Sequence, residues 1–120
     1  MYLPGGIRLV SPFDSVVAAT QSAIELQREF AERNETAREP LLIRCGLDAG
    51  EPISEGGDLF GAAVILAARA AAQADAGEIL IPEPVRHLLA GKGFVFADRG
   101  EFLLKGFEDI VRLFEVHWRG

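Results

Sequence analysis

The sequence predicts a mixed domain of helices and strands, α+β or α/β, occupying residues 1–120 as one unit. Three observations predict it. Two segments carry apolar residues at helical spacing, several short runs alternate or are apolar at strand length, and glycine or proline stands at nearly every junction between them.

Ile7 to Phe13 reads as a short strand, after which Asp14 or Ser15 can cap a helix. That helix places Val16, Ala19, Ala23, Leu26 and Phe30 on one face and Glu25, Arg28, Glu29, Glu32 and Arg33 on the opposite, solvated one. Asn34 to Pro40 is the loop that ends it. From Leu41 to Ala49 the chain alternates, with Ile43, Cys45 and Leu47 on one side and Arg44, Gly46 and Asp48 on the other, the period of a half-buried strand. Gly50 to Gly57 makes a polar turn or hairpin. Leu59 to Ala74 is alanine-rich and apolar nearly all round, interrupted by Arg69 and Gln73, so its helix should be covered on most faces, in a core or at a subunit interface.

Gly77 stops that helix before a strand at Glu78–Ile81, and Pro82-Glu83-Pro84 opens a short helix through Val85, Leu88 and Leu89 that ends at Gly91-Lys92-Gly93. Phe94–Ala97 and Phe102–Leu104 flank Asp98-Arg99-Gly100-Glu101, a hairpin signal, and a last strand runs from Val111 through Val116. Repeats, low-complexity tracts and linkers are absent from the sequence.

Composition narrows the function classes. The chain is 49% hydrophobic, enough for a core without disulfide or metal staples. Its one cysteine, Cys45, lies in an apolar run and is expected to be a buried structural thiol. Twelve basic residues scattered among eighteen acids, net charge −6, argue against a nucleic-acid surface, which needs clustered Lys and Arg. No apolar stretch reaches the roughly 18 residues of a membrane span, and the opening residues lack a signal-peptide pattern, so a soluble cytoplasmic protein is expected. His87 and His117 share no metal-ligand spacing, and Tyr2 and Trp118 are terminal, so none is assigned a role.

Four segments in order carry a resemblance: Ile43-Arg44-Cys45-Gly46-Leu47-Asp48-Ala49-Gly50-Glu51-Pro52; Gly57-Asp58-Leu59-Phe60-Gly61, eight residues before Arg69; Gly77-Glu78-Ile79-Leu80-Ile81; and Leu104-Lys105-Gly106-Phe107. Over residues 15–117 the chain resembles the class III adenylate/guanylate cyclase catalytic domain. The resemblance implies an α+β sandwich, ferredoxin-like, lacking the family's first strand and helices.

It further implies an active site at a dimer interface. There, two aspartates of one subunit hold two Mg²⁺ or Mn²⁺ ions, while an asparagine and an arginine of the other contact ribose and phosphates. The metals assist attack of the 3′-hydroxyl on the α-phosphate and neutralise the departing pyrophosphate. The first aspartate's strand has no counterpart here. Gly6-Ile7-Arg8 aligns with the Gly-Asp-Gly motif of the second, placing Ile7 on a metal ligand that isoleucine cannot supply. With a shifted start Asp14 is the nearest carboxylate, though its place before a helix suits an N-cap.

The asparagine position falls on Ile65 and the arginine on Arg69, four residues apart and so on one helix face. A lone guanidinium on an apolar helix asks for an anion, either a triphosphate or a structural carboxylate. Asp58 matches the residue that helps read the purine and also suits an N-cap; Lys105 matches a lysine near the phosphates and also suits a solvated loop. The expected reading is a truncated, degenerate cyclase module, inactive alone and holding no metal or cofactor of its own. It would bind ATP or GTP weakly and work through self-association or pairing with a cyclase-like chain. The alternatives are a half-site subunit of an active dimer completed by a full-length partner, and an unrelated ferredoxin-like binding domain.

Overall fold

The computed structural model describes residues 16–48 and 61–119. The expected strand at 7–13, the cap at Asp14 or Ser15, the turn at 50–57, Ile7 and Asp58 lie outside the described residues.

Helix α1 (Val16–Asn34) buries Thr20, Ala23, Ile24 and Gln27, an i, i+3, i+4, i+7 stripe. The stripe is rotated from the expected one: Ala23 is shared, Leu26 and Phe30 are only half-buried, and two polar residues replace them at the centre. Each polar residue is satisfied. The Thr20 hydroxyl donates to the Val16 carbonyl at 2.8 Å, and the Gln27 amide donates to the carbonyls of Ile43 and Glu78, both at 3.2 Å. The charged face is exposed as expected. At the helix end the Asn34 side chain clamps Leu41, donating to its carbonyl at 2.8 Å and accepting from its N–H at 2.9 Å, which closes the 35–40 loop.

The strand expected over 41–49 shortens to β1 (Cys45–Gly46). Its hydrogen bonds reach a little further, since the Gly77 N–H donates to the Ile43 carbonyl at 2.7 Å and the Leu47 N–H to the Leu80 carbonyl at 3.1 Å, but Leu41 and Leu42 are exposed. Nor is the strand half-buried. Gly46, placed by the alternation on the open side, is buried against α2 (Gly61–Gln73).

That helix connects β1 to the parallel strand β2 (Ile79–Pro82), a βαβ crossover, with Cys45 opposite Ile79. Every residue of β2 is buried, as a strand covered on both faces must be. Helix α3 (Glu83–Leu89) starts from Pro82 as N-cap, with Pro84 in its first turn where a missing N–H costs nothing.

β3 (Phe96–Phe102) and β4 (Val111–Val116) complete a sheet of order β1-β2-β4-β3, with β4 antiparallel to both neighbours. Here the hairpin expected at 98–101 is corrected: those residues lie inside β3, and the chain reverses between 103 and 110. Asp98-Arg99-Gly100 forms a bulge instead. Asp98 pairs with Phe114 and Gly100 with the next residue, Leu113, so Arg99 is the extra one. Gly100 has φ +95°, and its N–H donates to the Asp98 carboxylate at 2.8 Å. The turn chemistry in the sequence is real, but it serves to kink a strand.

The sheet has a core on each side. Ala23, Ile24, Ile43, Cys45, Leu47, Ile79, Ile81, Val85, Leu89, Phe114 and Val116 join α1 and α3 to one face, while Ala70, Ala74, Leu80 and Leu113 join α2 to the other. Cys45 is fully buried in the first, as expected of a structural thiol. Burial pushes its thiol up to about 12, against a smaller opposing effect of the Gln27 amide. A thiolate is the species that alkylates, so Cys45 is expected to stay unmodified by iodoacetamide at pH 8 in the folded chain and to react fully in urea, read by mass spectrometry.

Candidate functional site

Arg69 lies on α2, two turns beyond the helix start, and is half-buried. Lys105 is exposed on the β3–β4 connection, at the second position of a turn closed by the Phe107 N–H donating to the Leu104 carbonyl at 3.0 Å. Gly106, third in that turn, has φ +91°. Leu104 is buried and anchors the turn to the domain.

Arg69 reaches the Lys105 main chain across 36 residues of sequence: its Nε–H donates to the Lys105 carbonyl at 3.0 Å. Neither joins an ion pair with a carboxylate of the described residues.

Ile65, one turn before Arg69, is 49% exposed. Within this chain α2 buries Ala67, Ala70 and Ala71, with Ala74 just beyond its end, half-buries Leu66, Ala68 and Arg69, and leaves open the side bearing Ile65, Ala72 and Gln73. On the connection carrying Lys105, Leu103 is 73% and Ile110 62% exposed. A groove of about 450 Å³ between α2 and the end of this connection is lined by apolar Leu66, Pro82, Pro84, Ile110 and Val111 together with charged Glu83, Glu101 and Arg112.

Six of the described carboxylates pair with two other arginines, while Glu108 and Asp109, exposed on the connection that carries Lys105, join no ion pair among the described residues. Arg99 pairs with Glu78, with Glu115 at 3.1 Å and with Asp75 at 3.6 Å; Arg112 pairs with Asp98 at 2.6 Å, Glu101 at 2.9 Å and Glu83 at 3.8 Å. Divalent cations need converging, uncommitted oxygen ligands. No group of three or more acidic, histidine or cysteine side chains among the described residues could hold one, so they do not fit the metals of cyclase chemistry.

The Arg99 cluster instead fastens the segment between α2 and β2 to the sheet. Burial pushes the Glu78 carboxyl up, but the Asp75 N–H and the Arg99 guanidinium together outweigh it and hold it below its ordinary value of 4.5. A folded-state value below the unfolded one stabilises the fold above pH 4.5 and ceases to as pH falls through the depressed value. Arg99→Leu is expected to cost only about 1 kcal/mol at pH 6.5, since the cluster is partly solvated, and the gap to wild type should narrow as the pH falls below 4.5. Urea midpoints across that pH range check this.

Trp118, given no role from sequence, stands at the same end. Its indole N–H donates to the Gly77 carbonyl at 2.8 Å, and its own carbonyl accepts from Arg28 at 3.2 Å. Sequence reasoning passed over Trp118, Gln27 and Arg99 because their partners lie 16 to 90 residues away.

A family model described as the adenylate and guanylate cyclase catalytic domain matches residues 8–117. A putative adenylate cyclase 3 of Rhizobium meliloti is 33% identical over 104 residues, 84% of this chain and 18% of that protein. An adenylate/guanylate cyclase/hydrolase structure from Silicibacter pomeroyi superposes with TM-score 0.75 at 32% identity, over 87% of this chain and 63% of that one. An adenylyl cyclase structure from P. aeruginosa follows with TM-score 0.64 at 26% identity, over 85% and 58%. The chain thus spans about a fifth of the curated relative and under two thirds of either solved domain.

Proposed function

We infer that this chain, which belongs to the adenylate and guanylate cyclase catalytic domain family, acts as a half-site: it presents Arg69 and Lys105 to a nucleotide polyphosphate and depends on a second chain for the carboxylates that hold metal. The observation that carries this reading is the hydrogen bond from Arg69 to the Lys105 carbonyl, which ties to one turn the two basic residues that the resemblance assigns to the polyphosphate, neither of them ion-paired with a described carboxylate. Fixed positive charge at the polyphosphate offsets the charge that accumulates on a departing pyrophosphate.

Ile65 argues that the chain does not work alone. Where the resemblance places a ribose-orienting amide, an exposed isoleucine offers no hydrogen bond. Together with Leu103 and Ile110 it suits burial against a partner instead, a second copy or a cyclase-like chain.

The test is cyclic nucleotide production from ATP and from GTP with Mn²⁺. The chain alone should give no product. A complete cyclase domain of the family, disabled at its own arginine and lysine, should gain activity when this chain carrying Ile65→Asn is added. Product from the chain alone, or no gain with any such domain, contradicts the reading.

A further inference from the structure

The described arginines differ in what they hold. Arg99 and Arg112 gather carboxylates, whereas Arg69 directs its Nε–H to a main-chain carbonyl in a turn far along the sequence. That carbonyl belongs to the middle peptide of the Leu104–Phe107 turn, the unit between Lys105 and Gly106. A positive φ at the third residue marks a type II turn, whose middle peptide is flipped by about 180° from that of type I. In the type I form the Lys105 carbonyl would point away from Arg69.

Two residues therefore select the same peptide orientation. Gly106 permits it, and Arg69 bonds to the carbonyl it exposes. Packing adds nothing at Gly106, where a Cβ would meet no atom within 4 Å. Lys105 is exposed on a flexible four-carbon stem, so the position of its ammonium depends on how the turn is set.

We propose that Arg69 is a positioning residue: its Nε–H holds the Leu104–Phe107 turn in the flipped form and so fixes where Lys105 presents its charge. This rests on reading Lys105 as the group that faces the polyphosphate. It departs from the role the resemblance implies for Arg69, which is direct phosphate contact.

The test is a double-mutant cycle, because positioning through Lys105 predicts coupled losses and independent contact predicts additive ones. Affinity for a non-cyclisable ATP analogue with Mn²⁺ is measured by calorimetry for wild type, Arg69→Ala, Lys105→Ala and the double variant. The amide resonances of Gly106 and Phe107 are followed by NMR in the same proteins. Arg69→Ala should displace both resonances and weaken binding roughly tenfold, yet weaken it less than about twofold when Lys105 is already alanine. A purely structural effect of Arg69 would persist in that background.

Gly106→Ala leaves both cations in place and should reproduce the loss from the other side of the turn. Additive losses, or turn resonances that stay put in Arg69→Ala, overturn the proposal. A wild-type chain that binds no analogue instead defeats the reading of Lys105. The resonances then decide alone: their displacement in Arg69→Ala upholds the grip on the turn, and their constancy refutes it.

Discussion

Gly46→Ala is expected to lower the melting temperature by roughly 12 °C, a loss of about 3 kcal/mol. Gly46 lies where β1 passes under α2, and the approach leaves no room for a side chain. A Cβ there would come to 2.0 Å from the Ala67 carbonyl oxygen, 2.5 Å from the Ala71 nitrogen and 3.0 Å from the Ala71 Cβ. The first two are helix backbone, which has no rotamer to adopt, so α2 must lift as a unit. Lifting it would open the seal of Ala70 and Ala74 on Leu80 and Leu113. Circular dichroism melts test this, with Gly91→Ala as a control in a site that is open but also of positive φ. A Gly46→Ala shift no larger than the control's would refute the close approach.

Gln27→Ala should cost a comparable amount, about 3 kcal/mol, made up of two buried hydrogen bonds at about 1 kcal/mol each and the void left by the side chain. One amide nitrogen reaches three acceptors, the Ile43 carbonyl, the Glu78 carbonyl and the Cys45 sulfur at 3.7 Å. It thereby stitches α1 to β1 and to the residue leading into β2. Each carbonyl keeps one main-chain donor, from Gly77 and from Cys45, so the variant should fold, with reduced stability. Gln27→Leu separates the contributions: refilling the space without the bonds should recover about 1 kcal/mol of the loss by urea denaturation. Full recovery would show that packing alone mattered.

Much of this architecture was legible from local chemistry. The spacing of Val16 to Phe30 predicts a helix that exists, and Pro82-Glu83-Pro84 opens a helix as proline at a first turn should. What failed were inferences about which surface a residue meets. Gln27 falls on neither the apolar nor the charged face read from the sequence, because nothing nearby reveals the two carbonyls that receive it. Gly46 reads as the open side of an alternating strand, because the alanines that cover it come 21 and 25 residues later. Asp98-Arg99-Gly100 reads as a reversal, since a carboxylate bonding two residues ahead and a positive φ suit a bulge and a hairpin equally. The candidate site was legible only through resemblance. Arg69 and Lys105 have no periodic or spacing relation, and their contact is a property of the assembled fold.

The hydrogen-bonded Trp118 supplies the molecule with its own optical gauge. It is the chain's single tryptophan, half-buried, with its indole bonded to Gly77 and the Arg119 guanidinium 4.7 Å from the ring centre. Emission from this one fluorophore therefore comes from the seam where the α2–β2 loop, the end of β4 and α1 meet. A red shift would register that seam parting before or with the rest of the domain. Comparing its transition with the far-ultraviolet one in the same titration would show, without any label, whether the seam opens as part of a single cooperative unit.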